Sequence, residues 1–175
     1  KDAQLVFNKE ESRHIGKVLR KQIGDVLHLT NGEGMLFTAR LESNDPKHCI
    51  ATITAVEEKK PLPYTLHLAI APTKLNDRFE WLLEKANEIC ITQITPIICN
   101  HSERKRIKPE RYEKIIQSAA KQSLKCHFPI LNEMLRYSDF VAKYKSDPSQ
   151  KLIAHCEETE RKSLKSQITP GGNHI

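Results

Sequence analysis

Apolar residues in the first sixty positions come in short runs that alternate with polar residues. In the run 25–31 (DVLHLTN), Leu27 and Leu29 alternate with Val26, His28 and Thr30, which is the period of two expected for a half-buried strand. Four such runs, rich in Val, Ile, Leu, Thr and Phe, predict strands at 3–8, 25–31, 34–42 and 49–57. Short strands joined by tight turns predict a small β-barrel over residues 1–60.

The connections between these runs support this interpretation. The sequence Asn-Gly-Glu-Gly at 31–34 is a hairpin signal, because Asn and Gly accept positive φ. The stretch 9–20 (KEESRHIGKVLR) fits one or two helical turns in which Ile15, Val18 and Leu19 share a face. The stretch 57–63 (EEKKPLP) contains two prolines and four charged residues and predicts a linker.

After the linker, many apolar residues are spaced as in amphipathic helices. The spacing i, i+3, i+4 predicts helices at 76–90 and 108–124, with a shorter one at 138–145, while strands are predicted at 64–72, 93–99 and 151–158. Asn76 is a candidate N-cap for the first helix, and Pro109 suits the first turn of the second. Alternation of strand and helix predicts an α/β domain with a parallel sheet over residues 64–175.

Composition narrows the class of partner. The 175 residues carry a net charge of +6 and a pI near 9.1, which favours a polyanion such as RNA; a basic protein without such a partner is the alternative. No apolar run approaches the ~20 residues of a membrane span, so no membrane association is expected. Five scattered cysteines without a CxxC pair indicate reduced thiols and a cytoplasmic location. Adjacent His and Cys residues are poorly spaced for zinc, and no metal is expected.

Two basic loops are predicted at one edge of the parallel sheet. Loops that follow parallel strands gather at the carboxyl edge, where ligands bind. The loops 73–78 and 100–108 should therefore share a rim that carries Lys74, Arg78, Arg104, Lys105 and Arg106. Such a rim is suited to contact the phosphates of a nucleic acid, although a solvated loop is the alternative. The first loop has no glycines, so it does not resemble a nucleotide-binding P-loop.

Several segments taken together resemble the RsmE-type methyltransferases of the SPOUT class. They are RHIGKVLRKQIGD at 13–25, NGEG at 31–34, KLNDRFEWLLEKANEICITQITPIICNHSER at 74–104 and AAKQSLKCHFPIL at 119–131. No single segment is decisive, but their order and spacing cover nearly the whole chain.

The resemblance implies a fold, an activity and partners. It implies an N-terminal PUA-like barrel that binds RNA, a C-terminal domain that binds S-adenosylmethionine, and methyl transfer to N3 of a uridine in 16S ribosomal RNA of the small ribosomal subunit, by a homodimer. The residues expected to contact RNA are Arg20, Lys74, Arg78, Arg104, Lys105 and Arg106. His155 and Glu157 are candidates for the cofactor pocket; a strand end that turns into solvent is the other interpretation for both.

The chain also departs from the family pattern. The family's Gly-Pro-Glu-Gly loop and its later Leu-Gly-x-Arg-x-Leu-Arg-x-Glu-Thr-Ala segment do not occur in these 175 residues. We therefore expect an incomplete trefoil knot, a catalytic residue beyond Ile175, and a fragment that is inactive by itself. Two other hypotheses stay open: a non-catalytic RNA-binding module, and a small-molecule α/β enzyme whose charge is incidental.

Overall fold

The structure is a computed structural model that describes residues 3–154 and 162–175. The chain forms two compact units, Lys1–Lys60 and Pro61–Ile175. The division falls inside the segment 57–63 that the sequence suggests as a linker. None of the described helices is long and apolar enough to cross a bilayer.

The first unit is a four-stranded antiparallel sheet with one short helical segment. Its elements are β1 (Gln4–Val6), α1 (Lys9–Arg13), a π-helical turn (His14–Val18), β2 (Val26–Thr30), β3 (Met35–Ser43) and β4 (Ile50–Glu58). The strand order is β1-β4-β3-β2. Two register shifts interrupt the pairing of β3 with β4, and such irregularities bend a strand and increase its twist.

The core of the first unit lies between the sheet and the helical segment. Ile15 packs there with buried strand residues that include Leu27, Leu41 and Ala51. The prediction that Val18 and Leu19 share this face is wrong, because they are 65% and 50% exposed. The cause is the π-helical turn: the Leu19 amide donates to the His14 carbonyl, five residues back, which turns the following side chains away from the face that Ile15 occupies.

The second unit is a parallel sheet with helices on both faces. Its elements are β5 (Thr65–Ile70), α2 (Asn76–Glu88), β6 (Gln93–Ile98), α3 (Pro109–Gln122), β7 (Ile130–Leu131), β8 (Leu135–Arg136), α4 (Tyr137–Tyr144), α5 (Leu164–Gln167) and β9 (Asn173–His174). The strand order is β7-β6-β5-β9, and β8 pairs with β6 further along. All of these pairings are parallel.

The two faces of this sheet differ in chemistry. Helices α2 and α3 cover the first face through a buried cluster: Phe79, Leu83, Ala86, Ile91, Ile94, Tyr112 and Ile116. The rings of Phe79 and Tyr112 meet edge to face, with centroids 5.1 Å apart, a favourable aromatic geometry. On the other face, the ring of His67 lies against Phe140 and Tyr144 of α4.

Two local predictions for this unit are corrected. Residues 151–154 do not form the predicted core strand, and the remainder of 151–158 lies outside the described residues. Beside β5 the structure places β9, which is bridged in turn by Gln150. Asn76 does not cap α2, because it is already the first helical residue: the extended residue before it, Leu75, is the N-cap and makes no side-chain bond. The Asn76 Oδ1 instead accepts from the Tyr112 hydroxyl at 3.2 Å.

Candidate nucleic-acid interface

The parallel pairing of β5 with β6 fixes where their loops emerge. Ile70, the last residue of β5, lies opposite Pro96, so the segments after both strands leave the same edge of the sheet. Arg136, the last residue of β8, pairs with Ile98 at this edge as well. This carboxyl edge is the usual ligand side of an open α/β sheet.

The two basic loops contact each other directly. The Nε–H group of Arg104 donates to the carbonyl of Thr73 at 3.0 Å, and a second guanidinium nitrogen donates to the carbonyl of Lys74. The Lys74 ammonium lies 3.0 Å from a carboxylate oxygen of Glu103. The prediction that Lys74 and Arg104 share a rim is therefore confirmed. We call the loops 73–78 and 100–108 together the basic rim.

Residues 99–104 fold into a turn that aims Glu103 and Arg104 at the other loop. The Cys99 amide donates to the Ser102 hydroxyl at 2.8 Å, and the Ser102 amide donates to the Cys99 carbonyl at 3.1 Å. Serine commonly stabilises a turn through such local bonds. The turn brings the chain back toward Thr73 immediately after β6 ends.

A second set of contacts joins α2 to α3 behind the loops. Arg111, near the start of α3, contacts Glu80 of α2 at 2.7 Å, and the Tyr112 hydroxyl bonds to Asn76. Because Glu80 is only 20% exposed, this ion pair is less screened by solvent than the one between Lys74 and Glu103. Both contacts fix the start of α2 relative to the start of α3, and these two helix starts adjoin the loops of the basic rim.

Three of the five cations that the sequence predicted for the basic rim remain available for a ligand. Arg78, Lys105 and Arg106 are exposed and have no hydrogen bond or ion pair within residues 3–154 and 162–175. Lys74 forms an ion pair with Glu103, and the guanidinium of Arg104 donates hydrogen bonds to two main-chain carbonyls. The rim therefore presents free positive charge on a scaffold that is fixed by its own bonds.

The other predicted site residues lie elsewhere. Arg20 is an exposed residue of the first unit, with φ of 52°. It follows the π-helical turn, and its carbonyl accepts from the Gln22 side chain at 3.5 Å. The cofactor candidates His155 and Glu157 lie outside the described residues. Arg136, which the sequence analysis did not single out, lies at the same edge as the basic rim.

A buried polar cluster on the α4 face was not predicted from the sequence. The Thr95 hydroxyl lies 2.6 Å from Nε2 of His67 and 2.9 Å from Nδ2 of Asn132, and both Thr95 and His67 are buried. Burial lowers the pKa of His67, and the nearby Lys143 lowers it further, while Asp147 opposes them. The only signal in the sequence was a histidine in an otherwise apolar strand, YTLHLAIAP.

Two depressions formed by the described residues lie on the helices. One, between α2 and α3, is lined by Glu84, Glu88, Ile115, Ser118, Ala119 and Gln122. The other lies at the start of α3, along residues 107–111. Neither encloses a space beside the carboxyl ends of β5 and β6.

Comparison with known protein families decides the assignment. Residues 60–174 match a family model described as an RNA methyltransferase domain, and residues 7–54 match one described as an RNA methyltransferase PUA domain. The chain belongs to the RNA methyltransferase family. The resemblance inferred from the sequence motifs is thereby confirmed, as is the combination of a PUA-like sheet with a SPOUT-like α/β domain.

Individual relatives agree with this assignment. Ribosomal RNA small subunit methyltransferase E of a Synechocystis species is 30% identical over 148 residues, which are 81% of this chain and 47% of that protein. The protein of the same name from Rickettsia conorii is 26% identical over 86% of this chain and 60% of its own length. The chain thus spans about half of the curated relatives that it matches.

Solved structures resemble the chain over nearly all of its length. A crystal structure named "probable rRNA-methyltransferase" from Porphyromonas gingivalis is 36% identical, with a TM-score of 0.86, and covers 97% of this chain and 72% of its own. A structure from Legionella pneumophila, solved with bound S-adenosylmethionine, is 26% identical, with a TM-score of 0.83, and covers 99% of this chain and 73% of its own.

Proposed function

We propose that this chain supplies the RNA-binding unit and part of the catalytic domain of an enzyme that methylates N3 of a uridine in 16S ribosomal RNA. The observation that carries the proposal is the match of residues 60–174 to an RNA methyltransferase domain, in a fold whose two basic loops meet at the carboxyl edge of the sheet. Relatives named for methylation of the small ribosomal subunit support the choice of RNA.

S-adenosylmethionine is the proposed methyl donor, because it is bound in the similar Legionella pneumophila structure. As a methylated sulfonium it would supply an electrophilic methyl group. His155 and Glu157 remain the proposed contacts of this chain to the cofactor.

The basic rim has a defined task in this proposal. Arg78, Lys105 and Arg106 would bind the ribose-phosphate chain around the target, while Arg20 would contact RNA from the first unit. N3 of uridine carries a weakly acidic proton that has to leave before a methyl group can replace it. A cation that stabilises the resulting anion lowers the cost of that loss.

We also propose that the enzyme acts as a homodimer in the cytoplasm, where ribosomal subunits are its substrate. Sedimentation of the purified gene product gives the oligomeric state directly. A mass equal to one chain across micromolar concentrations would contradict the dimer, and it would leave the proposed reaction intact.

A labelled methyl group tests the activity. The gene product that carries these 175 residues is incubated with small ribosomal subunits and S-adenosylmethionine labelled in its methyl group, and the RNA is then digested to nucleosides. We expect the label in 3-methyluridine from 16S RNA. Label at another atom would contradict the N3 assignment, whereas RNA binding without any transfer would favour a non-catalytic RNA-binding module.

A further inference from the structure

Arg104 differs from the other cations of the basic rim in what its side chain already contacts. Its guanidinium donates to the carbonyls of Thr73 and Lys74, and the residue is half-buried. Arg78, Lys105 and Arg106 are exposed and contact no partner among the described residues. A side chain that is committed to its own protein has fewer donors left for a phosphate.

We infer that Arg104 is a positioning residue of the basic rim and not a phosphate contact. It fixes the segment 73–75, and it thereby sets the place where the chain enters α2 and where Arg78 projects. The part of the inference that concerns RNA rests on the proposed function, in which the basic rim binds RNA. The link itself is a property of the protein without a ligand.

The segment 73–75 has few other bonds that could order it. The Thr73 hydroxyl donates to the Leu75 carbonyl at 2.8 Å, but Leu75, the N-cap of α2, makes no side-chain capping bond. A loop that is ordered before RNA arrives does not have to lose conformational entropy on binding. Arg104 supplies that order from the neighbouring loop.

The neighbouring loop is built to hold Arg104 in this position. Cys99 and Ser102 close a turn just before it, and Glu103 contacts Lys74. Two consecutive residues, Glu103 and Arg104, thus reach the same short segment. This doubled contact is expected of a structural link between the two loops.

Arginine and lysine separate the two roles of this position. The planar guanidinium can bond two adjacent carbonyls at once, whereas the lysine ammonium is a point charge on a flexible stem. Lysine still binds phosphate well. Arg104→Lys therefore keeps a phosphate contact but loses the link to Thr73 and Lys74, and Arg104→Gln loses both.

The first measurement uses the protein without RNA. Backbone amide order parameters at residues 73–75 are measured for wild type, Arg104→Lys, Arg104→Gln and the controls Arg78→Gln and Lys105→Gln. We expect values of about 0.85 in wild type and both controls, and values below about 0.6 in both Arg104 variants. Unchanged order in Arg104→Gln would overturn the inference.

The second measurement is affinity for 16S RNA as a function of salt. Arg104→Lys and Arg104→Gln should both bind on the order of three- to tenfold more weakly, because the loop must be ordered on binding. Their salt dependence should stay that of wild type. Arg78→Gln and Lys105→Gln should each reduce the salt slope by about 0.7, the value for one lost contact to a single strand.

Two results distinguish the inference from the function on which it rests. If Arg104→Lys binds RNA as wild type does, while Arg104→Gln loses a full contact from the salt slope, Arg104 is a phosphate contact and the inference is wrong. If the controls bind RNA as wild type does but the loop still loosens in both Arg104 variants, the link is supported and the proposed RNA surface fails.

Discussion

Thr95 is the centre of the buried cluster beneath α4, and each of its neighbours depends on its hydroxyl. Nε2 of His67 lies 2.6 Å away, and Asn132 donates from Nδ2 at 2.9 Å. The side-chain amide of Asn132 also donates to Oε1 of Gln93 at 3.3 Å. A buried polar group that loses its partner bears the full cost of its desolvation, so the cluster is a sensitive point in the sheet.

The change Thr95→Val tests this dependence, since it replaces the hydroxyl with a methyl group of similar size. We expect the free energy of unfolding to fall by about 1–3 kcal/mol, measured by urea denaturation. The matched control is Thr65→Val, whose hydroxyl bonds to Asn173 in an exposed position, where a change of about 0.5 kcal/mol or less is expected. Equal losses in the two variants would contradict the role given to burial.

His67 makes the stability of the second unit depend on pH. Burial and Lys143 lower its pKa below the ordinary value, against a smaller opposing effect of Asp147. As the pH falls below about 6.5, the unfolded chain takes up a proton on this histidine before the folded chain does. The free energy of unfolding therefore decreases from pH 6.5 down to the lowered pKa of the folded state.

The change His67→Gln should remove this component of the acid sensitivity. We expect wild type to lose more stability than the variant between pH 7.5 and 5, in urea denaturation at each pH. His101→Gln, at an exposed histidine of the same unit, should behave as wild type. Curves of wild type and His67→Gln that run parallel over this range would show that His67 is not the titrating group.

At the scale of elements, helices α2 and α3 end in the same unusual way. Each is followed by a residue other than glycine in the left-handed region, Cys90 with φ of 63° and Leu124 with φ of 54°. In α3 the amide of Lys125 donates back to the carbonyl of Ala120 at 3.0 Å, as in a Schellman motif, where glycine is preferred. Both helix ends therefore carry backbone strain that glycine would relieve.

We expect Leu124→Gly to stabilise the protein by up to about 1 kcal/mol. The left-handed conformation costs a residue with a side chain about 1–2 kcal/mol, and Leu124 is 88% exposed, so little packing is lost. Thermal denaturation measures the change. Lys114→Gly, at an exposed position inside α3, serves as the opposite case and should cost about 1 kcal/mol; destabilisation by both would show that Leu124 is not strained.

Elements with a long apolar period are the easiest to predict from the sequence. Helix α3 repeats its buried positions Tyr112, Ile116 and Ala120 over three turns, and Pro109 at its start follows a local rule. The two-residue strand β9 has no period to detect, and its place beside β5 is set by the tertiary fold. Asn76 is a residue type that often caps helices, but it is the first helical residue of α2, and its side-chain oxygen accepts from Tyr112.

The candidate site was predictable only in outline. Parallel strands bring their following loops to one edge, so the position of the basic rim follows from topology. The identity of the free cations does not, because it depends on which of them find partners within the protein. Arg104 bonds to main-chain carbonyls, and main-chain acceptors leave no trace in a sequence.

At the scale of the whole molecule, the excess of positive charge can act in two ways. A net charge of +6 attracts any polyanion from a distance, whichever face the polyanion meets. A fixed rim of free cations instead makes a definite number of phosphate contacts, each of which releases bound counterions. If net charge alone attracts the RNA, equal changes of charge at different positions should weaken RNA binding equally. If the basic rim makes the contacts, a change in the rim should weaken binding more than the same change elsewhere.

The change Arg78→Glu distinguishes them when it is paired with Lys145→Glu. Both alter the net charge by the same amount, but only Arg78 belongs to the basic rim. Helix α4 begins with Tyr137 at the edge of the sheet that carries the rim, and Lys145 follows its other end. We expect Arg78→Glu alone to weaken binding to 16S RNA about tenfold or more and to reduce the salt slope by about 0.7 per lost contact, at a melting temperature matched to wild type. If Lys145→Glu weakens binding equally, affinity follows the total charge and the rim has no special role.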